Sequence, residues 1–292
     1  MQVVTTIAEV RAATDRARAT GRSVGFVPTM GYLHEGHVSL MAAARRTDDL
    51  VVASVFVNPL QFGAGEDLAA YPRDLDRDVT LAEGAGVDLV FAPPVEEMYP
   101  RPLLTTVAVA EITDRFEGAS RPTHFAGVAT VVAKLFAIVG PCRAYFGEKD
   151  WQQVCVVRRM AADLSLPVDV VACPTDREPD GLARSSRNVY LSVEERAAAP
   201  VLHRALRQGA ARVEAGERDP AAVEAVMAAM VAAEPLVDLD YVAAVEADTL
   251  ASPERLAGEI RLLVAARVGR PRLLDNVGLT VVPTTTPPPG AG

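Results

Sequence analysis

The sequence predicts an α/β protein, a parallel sheet with helices on both faces followed by a smaller C-terminal α+β domain. Three observations carry this. Short β-branched runs alternate with helical patterns over residues 1–175, the signature of strand–helix–strand units. The runs are apolar at nearly every position, as strands covered on both faces must be. Beyond residue 175 the alternation stops, and Ala-rich helical stretches give way to strand-like runs.

In chain order the expected strands are SVGFV (23–27), LVVASVFV (50–57), VDLVFA (87–92), RAYFG (143–147) and VDVVAC (168–173). Helical periodicity runs over Ile7–Ala19, Gly36–Arg46, Leu75–Gly84, Ala126–Val139 and Trp151–Leu164. The layout is Rossmann-like and assigns residues 1–175 to a first domain. Texture changes at CPTDREPDG (173–181), so 174–182 reads as the junction. Past it, Val193–Ala215 is helical but interrupted by Pro200. Pro220–Ala233 opens with an N-cap and N1 pair, Asp219 and Pro220. YVAAVEA (241–247) and IRLLVAARV (260–268) complete a second domain over 176–282. The end, VPTTTPPPGAG, carries too little apolar surface to order itself, so 283–292 is expected to be a disordered tail. No internal repeat is visible.

Bulk properties narrow the function. The 292 residues are 50% apolar and 23% charged with a net charge of −9, and the pI is near 5.1. That balance argues against a general nucleic-acid or membrane-surface binder. Cys142, Cys155 and Cys173 show no CxxC spacing, which fits reduced thiols in the cytoplasm. The N-terminal MQVVTTIAEVRAATDRA has no secretory pattern, and no apolar run approaches the roughly 18 residues that span a bilayer. A soluble, cytoplasmic protein is expected, with neither nucleic acid nor membrane as partner.

Ligands of such sheets bind beyond the carboxyl ends of the strands, where the strand order reverses. Three polar segments lie at such ends. In PTMGYLHEGH (28–37), His34 and His37 would share one face of a helix's first turn. They would stand beside its unpaired N–H groups and the positive end of its dipole, a ready anion site. Gly36 removes a side chain where a ligand would approach the backbone. Taken alone, HxxH reads better as a capped helix start, and a zinc site lacks further ligands at suitable spacing. In GEKD (147–150), Lys149 would project from a sheet edge and Asp150 could bond a ribose; a lone loop lysine is usually just solvated. In VNPLQF (57–62), Asn58 and Gln61 suit a small hydroxylated substrate, or serve turn chemistry around Pro59. Further on, ARSSRN (183–188) supplies two hydroxyls and two arginines to a phosphate, although SSR by itself is weak. GxxxxGK[ST], a GxGxxG opening a helix, and GxSxG are all absent.

A strand-end HxGH is the layout of the nucleotidylyltransferase superfamily, related to class I aminoacyl-tRNA synthetases. The fuller set is more specific. PTMGYLHEGH, VFVNPLQFG, YPRD, RPTHFAGV, YFGEKDWQQ, DGLARSSRN and LLDN, in that order, resemble the pantoate–β-alanine ligase family over residues 1 to about 280. The resemblance implies ATP-dependent condensation of pantoate with β-alanine to pantothenate, in coenzyme A biosynthesis. It proceeds through an enzyme-bound pantoyl adenylate, releases AMP and pyrophosphate, and usually needs Mg2+ and a homodimer. His34, His37 and Lys149 resemble the fixed positive donors that stabilise the departing phosphates, with His37 as proton donor. Ser185, Ser186 and Arg187 fall on the loop that closes over the phosphates.

By the same resemblance, Met30, Gly31, Tyr32, Leu33, Glu35 and Gly36 line the nucleotide site together with the histidines. Gly147, Glu148, Lys149 and Asp150 hold ribose and phosphate, and Asp176 and Arg184 join the ATP set. Gln61 and Gln153 hold pantoate, with Asn58 on the same side and Gln61 bordering β-alanine. No covalent nucleophile is needed. Two positions depart from the family pattern. Arg184 stands where Met is usual and would add a cation near the phosphates, and Tyr32 stands where a small residue or Asn is common. His124 is expected on a mobile segment or at a dimer contact, and His203 on an Ala-rich helix is expected to be structural. A transferase acting on a phosphorylated acceptor would want cations in place of Gln61 and Gln153. A non-catalytic nucleotide binder would be expected to lose His34, His37 or Lys149.

Overall fold

The computed structural model describes residues 1–63, 68–69 and 71–282; the expected tail, 283–292, lies outside them. The elements in order are β1 (Gln2–Val4), α1 (Ile7–Ala19), β2 (Val24–Thr29), α2 (Glu35–Thr47) and β3 (Leu50–Val55). Then come α3 (Leu75–Gly84), β4 (Leu89–Phe91), α4 (Val95–Met98), α5 (Glu117–Ser120) and α6 (His124–Val139). After β5 (Cys142–Gly147), α7 (Trp151–Asp163) and β6 (Val168–Cys173) follow α8 (Val193–Ala198), α9 (Val201–Glu214) and α10 (Pro220–Ala232). The chain closes on β7 (Val237–Glu246), β8 (Gly258–Val268) and β9 (Arg272–Val281). Among the described residues no helix is long and apolar enough to cross a membrane.

Contacts divide the chain into two compact units. One comprises Met1–Glu178 with Ala183–Ser186, the other Pro179–Leu182 with the chain from Arg187 onward. The expectation that 176–282 would carry the whole serine loop therefore needs correction, because Ser185 and Ser186 group with the first unit. The reason is Arg184. Its N–H donates to the Asp176 carbonyl at 3.0 Å, and its guanidinium pairs with Asp176 at 3.0 Å and Glu178 at 2.8 Å.

In the first unit all strands run parallel, in the order β1-β4-β3-β2-β5-β6. The chain steps outward from β2 through β3 to β4, then crosses to β5 and β6 on the other side. The order thus reverses at β2, and the carboxyl ends of β2, β3 and β5 face one edge. Buried Val27, Leu33, Met41, Val51, Ala53 and Val90 pack between sheet and helices. α2 is anchored at its far end by its C-cap, Asp48, which is buried. The carboxylate accepts from Arg143 Nη2 and from the Tyr145 hydroxyl, each at 2.6 Å. One strand falls outside the sequence expectation here: β1 is three residues long and pairs with β4 as an edge, too short to show a period.

The second unit is an antiparallel sheet, β7-β8-β9, with Leu202, Leu206, Met227, Leu262 and Val264 in its core. Pro200 separates α8 from α9. β9 also falls outside the expectation. It contains the LLDN motif, whose Asp, Asn and nearby Gly read as turn residues, yet Asp275 and Asn276 are buried in the sheet and Asn276 Oδ1 accepts from Arg261 on β8 at 3.0 Å. His203 lies on α9 against Gly181, where a Cβ would stand 2.3 Å from its Nδ1.

Candidate active site

The turn between β2 and α2 is built by a hydrogen-bond relay. Thr29 Oγ1 donates to the Ser54 carbonyl and accepts from the Gly31 N–H. Gly31 and Tyr32 both have positive φ, +81° and +50°, a region that costs a non-glycine residue about 1–2 kcal/mol. Asp78 of α3, only 1% exposed, holds the turn there. Its two oxygens accept from the Tyr32 N–H at 2.8 Å and the Leu33 N–H at 2.7 Å. Arg77 Nη1 donates to the Leu33 carbonyl at 2.8 Å, and its guanidinium lies 5.3 Å above the Tyr32 ring. Burial raises the Asp78 carboxyl above the usual range against the opposing pull of those two amides. The Tyr32 ring is thus engaged by Arg77.

His34 is the N-cap of α2. The Gly36 N–H donates to His34 Nδ1 at 3.2 Å, and the His34 N–H to His37 Nδ1 at 3.3 Å. A Cβ at Gly36 would stand 2.9 Å from His34 Cε1, so the glycine makes room for the protein's own ring. Of the four amides that open α2, those of Gly36, His37 and Val38 are already taken within the turn. The rings, more than the backbone, are what the helix start presents.

Those hydrogen bonds also assign the protons. A ring nitrogen that accepts carries no hydrogen, so in the neutral form each histidine keeps its proton on Nε2. The rings lie 4.1 Å apart, centroid to centroid. Burial above all pulls His37 down to about 3, with repulsion from His34 and Lys149 also lowering it. Burial lowers His34 as well, Lys149 adding to it and Glu35, Asp150 and Asp176 opposing. Both shifts favour the neutral ring, with its N–H on Nε2 as the donor.

Positive charge comes from Lys149, in the 3-10 turn Glu148–Asp150 that follows β5. Its ammonium lies 3.4 Å from Asp150, with 16% of the side chain exposed. Arg184 is not the added free cation expected. Besides Asp176 and Glu178 it has Glu35 at 3.5 Å, so three carboxylates surround one guanidinium. Ser185 and Ser186 follow it in the first unit, and Arg187 belongs to the second.

At the end of β3 a 3-10 turn, Pro59–Gln61, presents uncharged groups. Asn58 Nδ2 donates to Gln61 Oε1 at 3.2 Å and to the Gly127 carbonyl at 3.1 Å. Asn58 Oδ1 accepts from the Leu60 N–H and from the Tyr99 hydroxyl at 2.9 Å. With Oε1 so engaged, the Gln61 amide nitrogen faces the thioether of Met30 at 2.9 Å, a weak acceptor. Burial pushes Tyr99 up to about 12, so it stays a donor. His124 Nδ1 lies 3.0 Å from the Gln61 carbonyl. A carbonyl only accepts, so this histidine carries its proton on Nδ1 and pins the turn, with Arg121 Nη2 at 3.3 Å. Gln152 and Gln153 start α7 together but differ. Gln152 is buried and ties the Ile112 and Arg115 carbonyls and the Glu117 N–H, whereas Gln153 is half-buried.

The structure thus brings His34, His37, Lys149, Asp150, Asp176 and Arg184 around one end of the reversal, with Asn58 and Gln61 at the neighbouring strand. Sequence reasoning missed Arg77, Asp78 and Tyr99. The first two read as an ordinary charged helix start, and Tyr99 sits in a segment without periodicity.

Fold and site define a class, Rossmann-like proteins that carry HxGH after a central strand of a parallel sheet. The model of one family, Pantoate-beta-alanine ligase, matches residues 2–278, and the chain belongs to that family. It is 55% identical over 281 residues to a pantothenate synthetase of Moorella thermoacetica, covering 96% of this chain and 99% of that one. To one of a Roseiflexus species it is 56% identical over 276 residues, 94% and 98% of the two chains. Among solved structures, pantothenate synthetase from Thermus thermophilus superposes with a TM-score of 0.90 at 54% identity, covering 97% of this chain and 100% of that one. Pantoate-beta-alanine ligase from Francisella tularensis, complexed with Beta-gamma ATP and Beta-alanine, has a TM-score of 0.76 at 32% identity, over 95% and 97% of the chains.

Proposed function

We propose that the protein condenses pantoate with β-alanine at the expense of ATP, through pantoyl adenylate, to give pantothenate, AMP and pyrophosphate. The observation that carries this is the pairing at one sheet edge of neutral Nε2–H donors and a lysine with uncharged amides at the next strand. In the first half-reaction a pantoate carboxylate oxygen attacks the α-phosphorus of ATP. The bond to the bridging oxygen breaks, and pyrophosphate leaves with the electron pair. Lys149 and the Nε2–H groups of His34 and His37 stabilise charge on the departing phosphates. His37 acts as a hydrogen-bond donor there. In the second half-reaction the β-alanine amine attacks the acyl carbon, AMP leaves, and the nitrogen loses its proton.

Gln61 and Gln153 hold pantoate, and the fixed orientation of the Gln61 amide turns its nitrogen toward an oxygen acceptor better than a thioether. Met30 through His37 and Gly147 through Asp150 line the nucleotide, and Ser185 and Ser186 bind its phosphates. Among the described residues no three His, Cys, Asp or Glu converge on an ion. Magnesium carried by a nucleotide keeps water and phosphate in its shell and takes one or two carboxylates. Asp150 and Asp176, whose charge acts on His34, would hold it, and once bound it would offset charge on the triphosphate. A homodimer and a cytoplasmic location belong to the same proposal. The first rests on the family, the second on Cys142, Cys155 and Cys173 standing outside any disulfide.

The test is AMP release with purified protein. It should require both pantoate and β-alanine, and other amino acids should be turned over slowly or not at all. Equal activity with an unrelated carboxylic acid would overturn the substrate assignment.

A further inference from the structure

The histidine turn is held by groups that touch neither histidine. Gly31 and Tyr32 are both left-handed, and a tyrosine gains nothing by itself from that conformation. Left alone, residue 32 would relax toward negative φ, and the direction in which His34 leaves the turn would change with it. α3 opposes this relaxation through the polar groups that follow the turn. Asp78 takes the N–H of Tyr32 and of Leu33, one on each oxygen, and Arg77 takes the Leu33 carbonyl. The Arg77 guanidinium also covers the Tyr32 ring. Space is as tight as the bonding, since a Cβ at Gly31 would stand 2.8 Å from Asp78 Oδ2 and equally close to Val55.

We infer that Asp78, supported by Arg77, is a positioning residue for the first half-reaction: it holds Tyr32 left-handed and thereby aims the Nε2–H groups of His34 and His37. The inference rests on the adenylation reading above. A carboxylate is needed because two neighbouring amides point at one spot, which an anion satisfies with both oxygens. An asparagine of the same size turns an NH2 toward one of those amides and loses that bond. The left-handed tyrosine then has only Arg77 to keep it in place.

The experiment measures two rates on the full chain: pantoate-dependent exchange between pyrophosphate and ATP, and pantothenate formation from preformed pantoyl adenylate with β-alanine. Asp78→Asn should slow exchange by about 10–100-fold, as expected for losing a charge-assisted bond to an amide. The second rate should stay within about 3-fold, because the phosphates that face the histidines have left by then. Adding Tyr32→Gly to Asp78→Asn should restore at least about 5-fold of the exchange rate, since glycine adopts positive φ without steric cost. Asp48→Asn is the control. It weakens an equally buried carboxylate at the other end of α2 and should lower Tm without splitting the two rates. If Asp78→Asn does not fold, Arg77→Met takes its place and should slow exchange alone by about 3–10-fold. Equal losses in both rates, no loss, or no rescue by glycine would overturn the positioning role. Absence of pantoate-dependent exchange in the wild type would instead overturn the adenylation reading itself.

Discussion

At the end of β2 the turn is held by a buried carboxylate and a guanidinium. At the end of β3 a network of uncharged side chains does most of the holding, and the Arg121 guanidinium reaches the Gln61 carbonyl. The histidine turn is gripped by Asp78 and Arg77 and faces Lys149 and the Arg184 carboxylate cluster. The Pro59–Gln61 turn is held by Tyr99, Asn58, the Gly127 carbonyl and His124, and its outward group is an amide. The proton placement differs in the same sense. His34 and His37 accept at Nδ1 and present Nε2–H, while His124 spends its Nδ1–H on backbone. The difference teaches that a histidine's role follows from which ring nitrogen the fold consumes. Under the proposed function, one side serves developing negative charge and the other orients a hydroxylated acid.

The comparison breaks most visibly at the lysine of the phosphate side. Lys149→Ala should lower kcat on the order of 100-fold or more, as removal of one preorganised donor does. Tm should change far less than the rate, because the substitution lies in a 3-10 turn after β5 and leaves the sheet and its core in place. A variant that unfolds would make Lys149 structural and the contrast between the two ends unfounded.

A smaller effect should appear on the amide side. Tyr99→Phe deletes one neutral hydrogen bond, worth about 1 kcal/mol, from the chain that orients Gln61. Steady-state kinetics should show the KM for pantoate rising by about 3–10-fold with kcat nearly unchanged. A fall in kcat with no change in KM would mean that the amides act on the transition state and not on substrate binding.

The last effect is on stability and leaves the rates aside. The fold depresses His37 from its ordinary 6.5 to about 3, so the unfolded chain binds the proton first as pH drops. The ring's contribution is complete above about pH 6.5 and is lost progressively as pH falls toward 3. Wild-type Tm should therefore fall between pH 7.5 and 5, and His37→Gln should show a shallower fall over the same range by calorimetry. Identical slopes would mean that the ring protonates as freely in the fold as outside it.

Sequence by itself determined the elements whose signal is local. Parallel strands announced themselves as unbroken apolar runs, and α1, α3 and α7 began where their periodicity begins. HxGH, GEKD and VNPLQF could be placed at strand ends because Gly, Pro and polar residues interrupt those runs. Only the tertiary structure decided what each group does there. β1 has too few residues for a period, and β9 hides behind Asp275 and Asn276, which look like a turn until Arg261 of the neighbouring strand is in place. Arg184 reads as a free cation until Asp176, Glu178 and Glu35 are around it. Asp78 reads as a helix-start carboxylate until it meets Leu33, 45 residues earlier in the chain. Periodicity and turn chemistry depend on neighbours in sequence. Protonation, charge balance and backbone strain depend on neighbours in space, and those exist only once β2, β3 and β5 stand side by side.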